Sequence, residues 1–241
     1  MHGKAAILPL KLLDVSFEIG GKRLIDGISA EFNGGLRTVI LGPNGAGKSL
    51  LLRLCHGLLT PSTGSVTWSD PDRNHAARRQ VMVFQRPVML RRSAAANIEY
   101  ALSLRGIGRR ERRARVAEAL EKTGLSALAG RQARVLSIGE QQRLALARAW
   151  ALAPEVMFLD EPTASLDPAA SRAVERIIDA FHETGAKIVM TTHDLGQARR
   201  IADEVLFIHH GKLVERTDAA TFFKQPKTEE ADAFMRGELH W

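Results

Sequence analysis

The sequence predicts an α/β domain: a mostly parallel sheet with helices on both faces, an N-terminal antiparallel β region, and an inserted helical lobe. Three observations predict it. In the second half of the chain, short apolar β-rich runs alternate with helical-period segments, the pattern of strand–helix–strand units sharing one parallel sheet. The leading segment, about residues 10–41, holds β-rich runs separated by glycine turns and no helix. Between these regions, residues 93–153 show helical spacing in Ala, Leu and Arg and no convincing strand.

Taken in order, residues 12–17, 28–32 and 38–41 read as strands, with turns at Gly20-Gly21 and Gly34-Gly35. A glycine loop follows, then an amphipathic helix over 50–59, a turn at 61–64 and a short buried strand at 81–84. After the helical lobe come a strand at 156–159, a helix at 168–183, a strand at 187–191, a helix at 195–201 and a strand at 205–208. Beyond Gly211 one more short strand is expected, then helix-prone pieces around Phe222 and Phe234.

With 241 residues, 45% of them apolar, the chain can bury a substantial core. No apolar run approaches the roughly 18 to 20 residues of a membrane-spanning helix, so any membrane role is expected to be peripheral. The first ten residues do not read as a secretory signal. The single cysteine, Cys55, cannot make an internal disulfide and reads as a small buried apolar residue, in keeping with a reducing cytosol. The net charge of +7 is not spread evenly: residues 73–115 hold twelve Arg, no Lys and two acids, a balance of +10, so the remainder sums to −3. That local basicity argues against a nucleic-acid-binding surface over the whole domain. It reads as a solvated helix face over much of 109–115, the rest facing anionic lipid head groups or an acidic partner.

Gly42-Pro43-Asn44-Gly45-Ala46-Gly47-Lys48-Ser49 fits the phosphate-binding pattern G-x-x-x-x-G-K-[ST], and it lies after an apolar strand and before a helix beginning near Leu50. Glycines let backbone N–H groups curl around phosphate oxygens, the helix directs its positive end at them, and Lys48 and Ser49 supply a cation and a Mg²⁺ ligand. The run at 156–161 is an apolar strand ending in Asp160 and Glu161, where a parallel sheet presents its ligands. Asp160 suits Mg²⁺; Glu161, one residue on, is suited to orient and deprotonate a water. Ser137-x-x-Glu140 before a helical run is a capping box, so this segment opens a helix. His209-His210 has no carboxylate or cysteine at metal-ligand spacing.

Leu136-Ser-Ile-Gly-Glu-Gln-Gln-Arg143 resembles the signature sequence of the ATP-binding-cassette (ABC) ATPases. With the glycine loop, Gln85 at a strand end, the Asp160-Glu161 pair, Ser165-Leu166-Asp167 and His193, it completes that family's set in family order, over about residues 10–211. The resemblance implies a P-loop NTPase (RecA-like) core and one domain spanning 1–241, with core segments at about 1–85 and 154–215, a helical subdomain at 86–153 and a tail at 216–241. It implies ATP and Mg²⁺ as cofactors. Gly42, Pro43, Asn44, Gly45, Ala46, Gly47, Lys48, Ser49 and Leu50 would form the phosphate site, with Ser49, Asp160 and Gln85 at the metal. Gln85 would also sense the attacking water, Glu161 would be the catalytic base, and His193 would contact the γ-phosphate. Ser137 and Gly139 would reach the nucleotide held by a second copy of the chain, so that ATP joins two chains head to tail.

Two departures stand out. The family usually has glycine where Ile138 stands, and a β-branched residue resists positive φ, so that backbone is expected to be ordinary. The family also stacks an aromatic on adenine from the turn after the first strand, where this chain has Ile19, with Phe17 two positions earlier. Residues 85–98 resemble the stretch that in importer ATPases receives a helix of the membrane subunit, and this run with the tail at 236–239 looks most like tungstate-type oxyanion importers. The resemblance thus implies a motor subunit on the cytoplasmic face of the cell membrane. Its partners would be a second ATPase subunit, transmembrane permease subunits and, indirectly, a solute-binding protein, with no nucleic acid. The other readings are the motor of an exporter or lipoprotein-release system, and a soluble ABC ATPase acting on nucleic acid or ribosomes.

Overall fold

The computed structural model describes residues 7–238, except the side chain of Arg73. Strands β1 (Leu10–Ile19), β2 (Lys22–Phe32) and β4 (Thr63–Trp68) form an antiparallel sheet in the order β2-β1-β4. A second sheet joins β5 (Gln80–Val83), β6 (Val156–Asp160), β7 (Lys187–Thr191), β3 (Thr38–Leu41), β8 (Glu204–His209) and β9 (Lys212–Asp218), in that order. All its pairs are parallel except β8–β9, a hairpin at the edge.

The period-2 alternation of side chains sorts the central strands into two cores. Val39, Leu41, Met157, Leu159, Ile188, Met190, Val205 and Phe207 face one side, packed against α5 (Ile138–Leu152), α6 (Pro168–Glu183) and α7 (Leu195–Ile201). Ile40, Phe158, Val189, Leu206 and Ile208 face the other, against α1 (Lys48–His56) and the antiparallel sheet. Helix α1 is therefore clasped between two sheets, its Leu51, Leu52, Leu54 and Cys55 wholly buried. Burial pushes the Cys55 thiol well above its ordinary range, so it packs as an inert apolar group.

The neighbouring strands β5 and β6 are separated in sequence by α3 (Ala94–Leu104), α4 (Arg109–Lys122), two short 3₁₀ turns and α5, a purely helical excursion that returns to the sheet. Helix α2 (Arg73–Arg78) precedes β5, and α8 (Ala219–Lys224) and α9 (Glu229–Met235) close the chain, Phe222 and Phe234 packing on Phe207. Aspartates cap two of the helices: Asp167 accepts the N–H of Ala170 at 2.8 Å to start α6, whose first residue is Pro168, and Asp194 accepts the N–H of Gln197 to start α7. No helix among the described residues is long and apolar enough to cross a membrane.

One partly buried group makes the fold sensitive to acid. His56 ends α1 with its ring edge-on to Phe158 and its Nδ1 buried without a hydrogen-bond partner. Burial holds its pKa down at about 4. Below its ordinary pKa the unfolded chain binds a proton that the folded chain refuses, so stability falls as pH drops from about 6.5 toward 4. The expected loss at about pH 5 is about 2 kcal/mol relative to neutral pH. Denaturant midpoints of the wild type and His56→Phe at both pH values check this: the variant should lose most of that acid-side slope.

Candidate active site

Strand β3 ends at Leu41, α1 begins at Lys48, and the six residues between make a tight loop. Gly42 has φ 151°, and a Cβ there would sit 2.1 Å from the carbonyl oxygen of Ile208, so only glycine lets the loop leave the sheet against β8. Gly45, at φ 76°, has nothing within 4 Å of its Cβ position, leaving that stretch of backbone open to close approach. Ala46 donates to Pro43 O at 3.2 Å and accepts the N–H of Gly211 at 3.1 Å, so the β8–β9 turn braces the loop. The Lys48 side chain is 5% exposed; its Nζ donates to Gly42 O at 2.7 Å and Pro43 O at 2.9 Å. Burial pushes its pKa down against the pull of Glu161 and Asp160. A buried ammonium held only by carbonyls and one carboxylate at 4.0 Å favours a further anion.

Asp160, the last residue of β6, is 4% exposed, and its Oδ1 accepts from Ser49 Oγ at 2.6 Å and from Thr191 Oγ1 at 2.9 Å. The hydroxyl and carboxylate oxygens of Ser49 and Asp160 form the hard-oxygen donor set that suits Mg²⁺. Glu161 follows with φ +44°, a left-handed conformation that costs a non-glycine residue about 1 kcal/mol or more. Its N–H donates to Thr191 Oγ1 at 3.0 Å and to Thr191 O at 3.2 Å, which fixes the reversal and swings the side chain off the strand end. There its carboxylate meets three groups from three other segments: Gln85 Nε2 donates to Oε2 at 3.4 Å, His193 Nδ1 lies 3.1 Å from the same oxygen, and Lys48 Nζ is 4.0 Å from Oε1. Gln85, Lys48, Ser49, Asp160, Glu161 and His193 are thus brought together at the carboxyl ends of parallel strands.

Sequence reasoning missed three supporting groups. Thr191 bonds both carboxylate residues because β6 and β7 pair in register, Asp160 opposite Thr191; a hydroxyl ending the neighbouring strand was its only signal. Arg53 lies one helical turn beyond Ser49 and brings Nη2 to 3.9 Å from Asp160 Oδ2. Gly211 had no signal beyond its turn.

The signature segment sits elsewhere on the molecule, at the start of α5. The capping box is complete: Ser137 Oγ accepts the N–H of Glu140 at 3.3 Å and Glu140 Oε2 accepts the N–H of Ser137 at 2.8 Å. Gly139 packs on α6, where an added Cβ would lie 3.0 Å from that of Ala170. Ile138 begins the helix with ordinary backbone and leaves its side chain 64% exposed, beside exposed Val135. On β1, Phe17 is buried in the core, whereas Ile19 is 59% exposed; a bulge between Phe17 and Glu18 separates their environments. Of the two, only Ile19 is free to meet a base.

A model of the ABC transporter family matches residues 25–164. The chain belongs to the ABC transporter family. Relatives include the tungstate uptake system ATP-binding protein TupC of Peptoclostridium acidaminophilum, 41% identical, covering 81% of this chain and 92% of that protein. The phosphate import ATP-binding protein PstB 2 of Natronomonas pharaonis is 35% identical, with 95% and 87% covered. The cassette also superposes on the dimeric post-hydrolysis structure of the ATP-binding cassette MJ0796 bound to ADP and Pi, with TM-score 0.77, 27% identity, and 87% and 98% covered. The ABC cassette described here is accordingly an ATPase of the kind coupled to transport.

Proposed function

We propose that this cassette hydrolyses ATP clamped between two copies of itself and so drives import of a small oxyanion, tungstate foremost, through a transmembrane permease, from the cytoplasmic face of the membrane. The observation that carries the reading is the convergence on Glu161 of Gln85, His193 and Lys48, each from a different segment, beside the Ser49–Asp160 oxygen pair. In this reading the chain acts as a single domain. The amides of residues 42–49 and Lys48 hold the phosphates, and Leu50 carries the loop into α1. Mg²⁺, held by Ser49 and Asp160 with Gln85 nearby, would neutralise charge on the phosphate oxygens. Glu161 takes the proton from the attacking water. Gln85 and His193, both on its Oε2, orient that carboxylate and reach toward the terminal phosphate. Ser137, Gly139 and the positive end of α5 serve the nucleotide of the second copy, and Ile19 gives the base an apolar contact without stacking.

The permease side of the reading rests on a groove of about 390 Å³ between β5, α3 and α5, lined by Phe84, Val88, Tyr100, Leu104, Arg148 and Leu152. Its wall is rigid. Buried Asn97 ties the 88–93 loop together by bonds to Leu90, Arg92 and Ser93, and Arg148 Nη1 donates to Val88 O at 2.9 Å. Exposed Val88 and Leu104 suit the apolar face of a partner helix. Arg86 and Arg91 are exposed on the rim, and Arg92 stacks over Tyr100 at 4.9 Å. The oxyanion cargo is supported by the relatives named for tungstate and phosphate. The test is tungstate uptake by cells lacking the chromosomal copy. The wild-type gene should restore it, and Arg86→Ala/Arg91→Ala/Arg92→Ala should abolish it while leaving ATP affinity within about twofold. Lost ATP binding in the triple variant would refute the groove; restored uptake of some other solute alone would refute tungstate.

A further inference from the structure

Helix α4 breaks a local rule. Its N-cap, Gly108, makes no side-chain hydrogen bond, and its first turn puts Arg109, Arg110 and Arg112 at the positive end of the helix dipole, where cations are disfavoured. The two acids of this region are already committed, Glu111 to Arg115 at 2.7 Å and Glu99 to Arg112 at 3.8 Å. Among the described residues Arg78, Arg105, Arg109, Arg110 and Arg113 have no acidic partner. At 3.6 residues per turn, Arg109, Arg110 and Arg113 span an arc of about 100° on α4, on the flank away from Glu111. Arg105 caps the end of α3 just ahead of them; burial depresses its pKa, and the nearby charge of Arg78, ending α2, adds to that. Arg109 and Arg110 sit at a helix end that repels them and Arg113 lies one turn on, with no compensating contact among the described residues; Arg105 and Arg78, at helix ends that favour cations, add charge to the same corner. Such a site is expected to be compensated by a ligand.

We infer that this corner, formed by Arg78, Arg105, Arg109, Arg110 and Arg113, binds anionic lipid head groups and holds the cassette against the cytoplasmic leaflet. The chemistry fits. Guanidinium pairs bidentately with phosphate, and the corner adjoins the groove rim, where Leu104 and Val88 are 70% and 73% exposed; basic and apolar side chains together suit the head-group layer. The orientation rests on the proposed docking of a permease at that groove, but lipid binding itself needs no permease.

The experiment is co-sedimentation of the purified full chain with phosphatidylcholine vesicles, with and without phosphatidylglycerol. Binding is expected only with the anionic lipid and should vanish at high salt. At roughly fivefold per arginine, Arg109→Gln/Arg110→Gln/Arg113→Gln should weaken it about a hundredfold. That variant removes charge from a helix end that repels it, so its melting temperature should equal or exceed wild type, and its ATPase rate should not change. The Arg86/Arg91/Arg92 groove variant should still bind the vesicles, which keeps a failed groove distinguishable from a failed corner. Equal binding to both vesicle types, or undiminished binding by the α4 variant, would overturn the inference. So would no vesicle binding with loss of transport by the α4 variant, which would assign the corner to an acidic protein partner.

Discussion

Glu161→Gln should lower steady-state ATP hydrolysis by about 10² to 10⁴ while ATP still binds. The amide keeps the shape of the carboxylate and can still interact with Gln85 and His193, which both lie on Oε2. Its left-handed backbone is held by Thr191 through main-chain bonds that the change does not touch. What is lost is the ability to accept a proton. The variant also removes a negative charge 4.0 Å from Lys48, which favours an anion in the loop, so nucleotide affinity should hold or rise. A phosphate-release assay under saturating Mg²⁺ and ATP reads the rate, and calorimetry reads the binding. Turnover within about threefold of wild type would remove Glu161 as general base and leave His193, 3.1 Å away, as the next candidate.

Lys48→Ala should act at the preceding step, weakening ATP by about 100-fold, roughly 3 kcal/mol. The ammonium is 5% exposed and shared between Gly42 O and Pro43 O. Without it those carbonyls present only negative partial charge to a phosphate, and Glu161 and Asp160 lose the nearest buried cation. The loop itself should persist, because Gly42 still seats against Ile208 and Ala46 still pairs with Gly211. Calorimetric titration with ATP, beside a melting curve close to wild type, separates lost affinity from lost structure.

The parts of this molecule legible in its sequence share a physical cause. Strands β6, β7 and β8 are buried on both faces, so they appear as unbroken apolar runs. Helices α6 and α7 start at Asp167-Pro168 and Asp194, whose caps fix their ends to the residue. Strand β4 went unread because its six residues are half exposed, with one β-branched aliphatic among polar neighbours, and it exists through pairing with distant β1. Helix α2 is six residues long, too short to show a period. Within the site, Asp160 and Glu161 were legible as candidates because parallel strands deliver their C-terminal ends to one edge, whereas Gln85 and His193 were candidates only through the family resemblance. Thr191 was not, since a lone threonine acquires its role only from the register of β7 on β6. The same limit governs Phe17 and Ile19: strand alternation alone put them on one face, and the bulge beside them separated a core residue from an exposed one.

The most direct test of the central claim, that ATP is hydrolysed while clamped between two copies of the chain, is size-exclusion chromatography of Glu161→Gln in Mg²⁺ and ATP. Ser137, Gly139 and the exposed Ile138 lie at the start of α5, and their contacts within one chain are with α5 and α6 rather than with Glu161. In the proposed function these residues serve the nucleotide held by a second copy of the chain. The account predicts that Glu161→Gln elutes as a dimer with ATP and as a monomer without it, while Lys48→Ala stays monomeric and wild type, turning ATP over, is mostly monomeric. A Glu161→Gln protein that binds ATP, fails to hydrolyse it and still elutes as a monomer would contradict the clamp.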